Sequence, residues 1–199
     1  MLLIALTGGI GAGKSSAGSL LARLGAVYVS ADHIAREVLE RGEVGYDRVL
    51  AHFGDQILTN GEIDRKKLAE IIFSDPAERM ALEQITHPLI QKRFLAIQNS
   101  LPPDSVLVYE IPLLAENPER ISDFDIVLTI ETSEELRRER LIHRGLDERQ
   151  AVARIASQTS DANRREIAQH VIENNGDQDA LLRALEEWWT RFIAPNFSS

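Results

Sequence analysis

The 199-residue sequence contains no cysteine, which excludes disulfides, thiolate metal centres and cysteine nucleophiles. No apolar run approaches the ~18 residues that a membrane-spanning helix needs, so no membrane association is expected. Positive charge is in deficit. There are 22 Lys and Arg against 31 Asp and Glu, a formal net charge of −9. A general nucleic-acid binder carries a basic surface, so nucleic acid is not an expected partner. A small polyanion needs only a local cluster of cations and stays open as a ligand. The apolar residues 1–6 lack a basic leader and a cleavage site, and read as a strand rather than a signal peptide. A cytoplasmic monomer is the expectation.

What is present suits one domain over residues 1–199: 44% of the residues are hydrophobic and 27% charged, an ordinary globular balance. Residues 2–6 form a short apolar run stopped by Thr7 and Gly8, the pattern of a strand buried on both faces. Ala17, Leu20, Leu21 and Leu24 then recur at helical spacing, and Gly25 ends that helix. Further strands are predicted at residues 27–29, 106–109, 126–130 and 171–172. Residues 32–99 read instead as consecutive helices, broken near Gly42, Gly54, Asn60-Gly61, Asp75-Pro76 and His87-Pro88, with no strand among them. Helices are also expected over residues 148–158 and 162–168. Leu181, Leu182, Leu185, Trp189 and Phe192 give a closing helix its apolar face, with Trp188 and Trp189 read as core. Strands alternating with helices predict an α/β fold: a parallel five-stranded sheet flanked by helices, with a helical insertion at 32–99. Ligands of such sheets sit at the carboxyl ends of the strands.

At the end of the first strand, Gly8-Gly9-Ile10-Gly11-Ala12-Gly13-Lys14-Ser15 matches G-x-x-x-x-G-K-[S/T] in full. This predicts the P-loop NTPase fold, with ATP as the nucleotide. Gly8, Gly9, Gly11, Ala12 and Gly13 let the backbone wrap phosphate oxygens, and the helix opening at Lys14, Ser15 and Ser16 turns its N–H groups toward the anion. Lys14 supplies positive charge at the β- and γ-phosphates, and the Ser15 hydroxyl suits Mg²⁺. A hydroxyl attacking phosphorus needs a proton acceptor. Asp32, just after the second strand, can serve as that base or as a helix N-cap. Arg137, Arg140 and Arg144 share one helix face. They can meet phosphoryl charge or pair with Glu134, Glu135 and Glu139 on the surface.

The ordered set of segments resembles the dephospho-coenzyme A kinase family. It comprises Leu6-Thr7 with the phosphate loop, Ala31-Asp32-His33-Ile34-Ala35-Arg36-Glu37-Val38, Asp64-Arg65-Lys66-Lys67-Leu68, Phe73-Ser74-Asp75-Pro76, Thr86-His87-Pro88-Leu89-Ile90, Ile111-Pro112-Leu113-Leu114-Ala115-Glu116, Arg154-Ile155-Ala156-Ser157-Gln158 and Val171-Ile172-Glu173-Asn174-Asn175-Gly176. The resemblance spans about residues 1–176. It implies transfer of the ATP γ-phosphoryl group to the ribose 3′-hydroxyl of dephospho-CoA, with dephospho-CoA and ATP as small-molecule substrates. It further implies that Asp32 acts as base, that Arg140 is the arginine of a lid over residues 137–168, and that 32–99 binds substrate. Thr7, Asp32, Arg65 and His87 are the substrate-binding candidates, while Asn175 and Gly176 would lie beside the adenine. Read from the residues alone, Arg65 also fits a surface position, His87-Pro88 a structural corner and Asn175-Gly176 a plain turn. Ser30, Ala115 and Gly145 depart from the family pattern, and none removes a residue the chemistry needs. The competing expectations are another small-molecule P-loop kinase, of nucleoside or nucleotide type, and a GTP-binding switch. The Asn-Lys-x-Asp guanine signature of the latter is absent from the sequence.

Overall fold

The computed structural model describes residues 1–197. Its elements run β1 (Leu2–Gly8), α1 (Lys14–Arg23), β2 (Val27–Ser30), α2 (Ala31–Glu37), α3 (Val44–Phe53), β3 (Leu58–Thr59), β4 (Glu62–Ile63), α4 (Arg65–Ser74) and α5 (Pro76–Ser100). They continue with β5 (Val106–Glu110), β6 (Ile126–Glu131), α6 (Glu134–His143), α7 (Glu148–Ala156), α8 (Asp161–Ile167), β7 (His170–Glu173), α9 (Gln178–Phe192) and α10 (Ala194–Phe197). The chain divides into two compact units. One is Met1–Ser30 with the chain from Pro102 onward; the other is Ala31–Leu101.

In the first unit five strands form one parallel sheet in the order β2-β5-β1-β6-β7. Strand β1 is central, and Ile4, Ala5 and Leu6 are fully buried, which is why the segment reads as continuously apolar rather than alternating. Leu6 lies opposite Glu110 of β5 and Leu128 of β6, and Gly8 opposite Ile130. This register brings the carboxyl ends of three strands level with the start of the phosphate loop. Helices α1 and α9 contribute Leu20, Leu21, Leu181, Leu185 and Trp188 to the core on the sheet, and each such side chain contributes ~1.5–3 kcal/mol of burial. Trp189 packs against the same core. Among the described residues no helix is long and apolar enough to cross a membrane.

The second unit is helical around Val49, Phe53, Ile57 and Leu68. Two features differ from the sequence expectation. Strands β3 and β4 form an antiparallel hairpin where only a break is predicted. Asn60 and Gly61 both take positive φ, 54° and 81°, the two-residue turn that matches strand twist. Two-residue strands are too short to carry a period of two, so the turn is visible in the sequence and its strands are not. His87-Pro88 is not a boundary either, because Pro88 lies inside the continuous helix α5. His87 and Pro88 are both exposed, so the ring and the missing N–H disturb only a solvated turn. The helix is secured elsewhere: Asp75 caps it by accepting from the Ala77 N–H at 2.8 Å, with Pro76 in its first turn.

Candidate active site

The phosphate loop joins β1 to α1, and its glycines are steric necessities. A Cβ on Gly8 would sit 2.3 Å from the Ile130 carbonyl oxygen. Gly13, the residue before α1, has φ +100°, and a Cβ there would meet Asn174 Nδ2 at 2.3 Å. The loop carbonyls are satisfied by side chains. Lys14 Nζ donates to Gly8 O (2.9 Å) and Gly9 O (3.1 Å). Arg137 Nε donates to Ile10 O (3.1 Å), and Arg140 Nη1 to Gly11 O (3.3 Å). Ala12 O accepts from Asn174 Nδ2 (2.7 Å) and Thr132 Oγ1 (3.1 Å). Among the described residues the Gly11 and Gly13 amides have no protein acceptor. Carbonyls bound by side chains, with the Gly11 and Gly13 amides unbonded, have the make-up of an anion nest, and the N-terminus of α1 adds its partial positive charge.

The arginines of α6 divide by role. Arg137 is buried and pairs with Asp161 at 2.8 Å. Arg140 is half-buried and also gives Nη2 to Asn174 O at 3.0 Å. Arg144 is exposed and, with Gly13, Ser16, Arg140, Asn174 and Gly176, lines a cavity of about 180 Å³. The surface alternative fails for Arg137 and Arg140 and holds in part for the exposed Arg144, and among the described residues none of the three pairs with Glu134, Glu135 or Glu139. Beneath Arg137 lies a buried pair that sequence reasoning misses. Arg164 Nε and Nη2 meet Glu131 at 2.9 and 3.0 Å, and Arg164 also touches Asp161. Burial opposes the Arg164 charge, but the hydrogen bonds and charges of Glu131 and Asp161 outweigh it and hold the guanidinium more firmly protonated than usual. Thr129 Oγ1 donates to Glu131 at 2.7 Å. Gln158 Oε1 accepts the Ile10 N–H at 2.6 Å, so both polar groups of the Ile10 peptide positions are held from α6 and the α7–α8 junction.

Glu110, which the sequence places at a strand end beside the site without giving it a role, closes β5 and is almost fully buried. Its Oε1 accepts from Ser15 Oγ at 3.4 Å, and Tyr28 donates its hydroxyl to the other carboxylate oxygen. Burial, and then the hydrogen bond to Glu110, push the Tyr28 phenol well above its usual range, so it stays a donor. A serine hydroxyl beside a carboxylate is a hard-oxygen pair of the kind Mg²⁺ takes while keeping most of its waters. The signal in the sequence is a carboxylate ending an otherwise apolar strand.

The remaining predicted residues are placed as follows. Thr7 is fully buried and its hydroxyl has no hydrogen-bond partner, so it offers no surface to a substrate. Asn175 turns its side chain to the Ser133 N–H (2.8 Å); Asn174, its neighbour, is the residue on the loop. Asp32, Arg65 and His87 belong to the second unit and are exposed. Among the described residues the Asp32 carboxylate accepts no hydrogen bond, so the N-cap alternative is not used.

The profile of one family, described as dephospho-CoA kinase, matches residues 2–180. The chain belongs to the dephospho-CoA kinase family. A dephospho-CoA kinase of Frankia casuarinae is 42% identical over 195 residues, 98% of this chain and 85% of that protein. A crystal structure of TT1252 from Thermus thermophilus is similar with a TM-score of 0.81 at 30% identity, covering 96% of this chain and 98% of the other. The structure of a dephospho-CoA kinase from Campylobacter jejuni gives a TM-score of 0.72 at 27% identity, covering 98% of both chains. The fold is that of a P-loop kinase.

Proposed function

We propose that this chain transfers the γ-phosphoryl group of ATP to the ribose 3′-hydroxyl of dephospho-CoA, yielding CoA and ADP as the last step of CoA synthesis. The observation that carries the donor half is the loop itself. Its carbonyls from Gly8 to Ala12 are bound back to Lys14, Arg137, Arg140 and Asn174, leaving the Gly11 and Gly13 amides for phosphate oxygens. Family membership supports the acceptor's identity.

In this reading the 3′-oxygen forms a bond to the γ-phosphorus as the bond to the β–γ bridging oxygen breaks, and ADP departs. Asp32 takes the hydroxyl proton. Lys14 and Arg140 stand against the charge on the transferring group, and a reoriented Lys14 exchanges loop carbonyls for phosphate oxygens. Ser15, with Glu110 behind it, would hold Mg²⁺, which supplies charge neutralisation on the β- and γ-oxygens. The cavity beside Asn174 and Gly176 accommodates the nucleoside. Residues 137–168 act as a lid that excludes water, a competing acceptor, and residues 32–99, with Arg65 and His87, bind dephospho-CoA. A cytoplasmic setting fits a chain without cysteine.

An acceptor screen tests the reading. ADP release from ATP is measured with dephospho-CoA, nucleosides and nucleoside monophosphates offered singly. Stimulation by dephospho-CoA above all others is expected. Stimulation by a nucleoside monophosphate with none by dephospho-CoA would overturn it.

A further inference from the structure

Each of the two unbonded amides in the phosphate loop follows an anchored carbonyl. No peptide bond among the described residues is cis, and in a planar trans peptide the C=O and the N–H point in opposite directions. A hydrogen bond that fixes a carbonyl therefore also fixes where the next residue's N–H points. Ile10 O accepts from Arg137 Nε at 3.1 Å, and Ala12 O from Asn174 Nδ2 at 2.7 Å. The N–H groups of those two peptides belong to Gly11 and Gly13, the unbonded pair. The amides between and before them are occupied: Ile10 N–H is held by Gln158 Oε1 at 2.6 Å, and Ala12 N–H by Gly9 O at 3.1 Å.

Arg137 is itself fixed. Its side chain is only 2% exposed, and its Nη1 is bound to Asp161 at 2.8 Å, which also touches Arg164. The guanidinium lies where a side chain on Gly9 would go: a Cβ there would sit 2.7 Å from Arg137 Cζ. The Ile10 side chain packs on the buried cluster of Leu141, Ala151 and Ile155. Ile10 is thus held at its N–H, its C=O and its side chain, all from residues after β6. Gly11 and Gly13 have φ of +79° and +100°, and next to glycine a peptide turns over with little steric cost. A turned-over Ile10–Gly11 peptide would put a carbonyl oxygen where the N–H had been, and repel an anion. We infer that Arg137 is a positioning residue of the phosphate loop, holding the Ile10–Gly11 peptide so that the Gly11 N–H meets nucleotide phosphate. The guanidinium acts through the backbone and does not touch the phosphate. This role rests on the proposed function for the nucleotide's place and adds what aims one of the two free amides.

The test follows the Gly11 and Gly13 amide protons by ¹⁵N–¹H NMR while ADP is titrated into the wild type and into Arg137→Met. Calorimetry supplies Kd, and a thermal melt confirms that the variant is folded. In the wild type both amides should move downfield as they donate to phosphate. In Arg137→Met the Gly11 shift should be lost and the Gly13 shift, aimed by Asn174, kept. Loss of one such hydrogen bond should raise Kd for ADP on the order of tenfold. An undiminished Gly11 shift in the variant overturns the role, and so does equal loss at both glycines, which marks a general disturbance of the loop. Should the variant not fold, the wild type still decides: a Gly11 amide that does not respond while ADP binds overturns the role. Dephospho-CoA is titrated separately. If the wild type does not bind it, the proposed acceptor fails while the ADP titration still judges Arg137. If the wild type does not bind ADP, the nucleotide site falls and the role of Arg137 with it.

Discussion

Arg137, Arg140 and Arg164 in the first unit and Arg36, Arg41 and Arg65 in the second are one residue type held in opposite ways. The first three are anchored by the fold: Arg137 on Ile10 O and Asp161, Arg140 on Gly11 O and Asn174 O, Arg164 on Glu131 and Asp161. The second three line a cavity with no protein partner among the described residues. Fixed guanidinium groups shape a backbone loop before nucleotide arrives, so its dipoles need no reorganisation during the reaction. Unpartnered ones keep their rotamer freedom and would lose it on binding any ligand. The first unit thus fixes its loop through backbone geometry, while the second leaves these side chains unanchored.

The sharpest way to break this contrast is to remove an anchored arginine. Arg164→Met leaves Glu131 buried without a cation, and removing one partner of a buried pair costs about 3–5 kcal/mol. Denaturant unfolding should show a loss of that size. A change below about 1 kcal/mol would mean that Arg164 is not an anchor. Glutamine in place of Arg36 should leave the same unfolding curve within about 0.5 kcal/mol, since it ends no ion pair.

Lys14→Ala should lower kcat/KM for ATP about a thousandfold, because the lysine both holds the loop carbonyls and meets developing phosphoryl charge. Intact kinetics would remove the loop from the reaction. Asp32→Asn should lower kcat about a hundredfold or more with ATP binding unchanged. Near-normal turnover would dismiss Asp32 as the base.

These residues were not equally legible. All five strands of the sheet lie where apolar runs predict them; β1, β5 and β6 are buried on both faces and so must be apolar, while the edge strands β2 and β7 are only partly covered and show shorter apolar runs. The phosphate loop was legible because its glycines answer to local geometry. Pairings across the chain were not. Arg137 and Arg164 look like surface charges within their helices, and only the packing of α6 and α8 near Glu131 shows them buried. Gln158 and Asn174 matter through bonds to Ile10 and Ala12 that span 148 and 162 positions, beyond any local pattern. Thr7 stands at a promising strand end, yet its side chain points into the protein.

The smallest expected effect concerns His170, which packs on Trp188 (5.7 Å between ring centres) and Phe192 (4.4 Å) in the first unit. Burial holds its imidazole below the ordinary range, so the fold prefers the neutral ring. Its contribution is present above the unfolded-state pKa of about 6.5 and is lost as pH falls through the lower folded value. The melting temperature should therefore fall slightly more on acidification in the wild type than in His170→Gln. Parallel curves would show that the ring does not matter to stability.

The central claim is that phosphoryl transfer is directed to one hydroxyl by a preformed donor loop and an acceptor helix. The direct measurement is ³¹P NMR of the product formed from ATP and dephospho-CoA. A new phosphomonoester on the ribose 3′-oxygen, in step with ADP, is predicted. Inorganic phosphate in step with ADP and no new monoester, or phosphorylation at any other oxygen, would contradict the account.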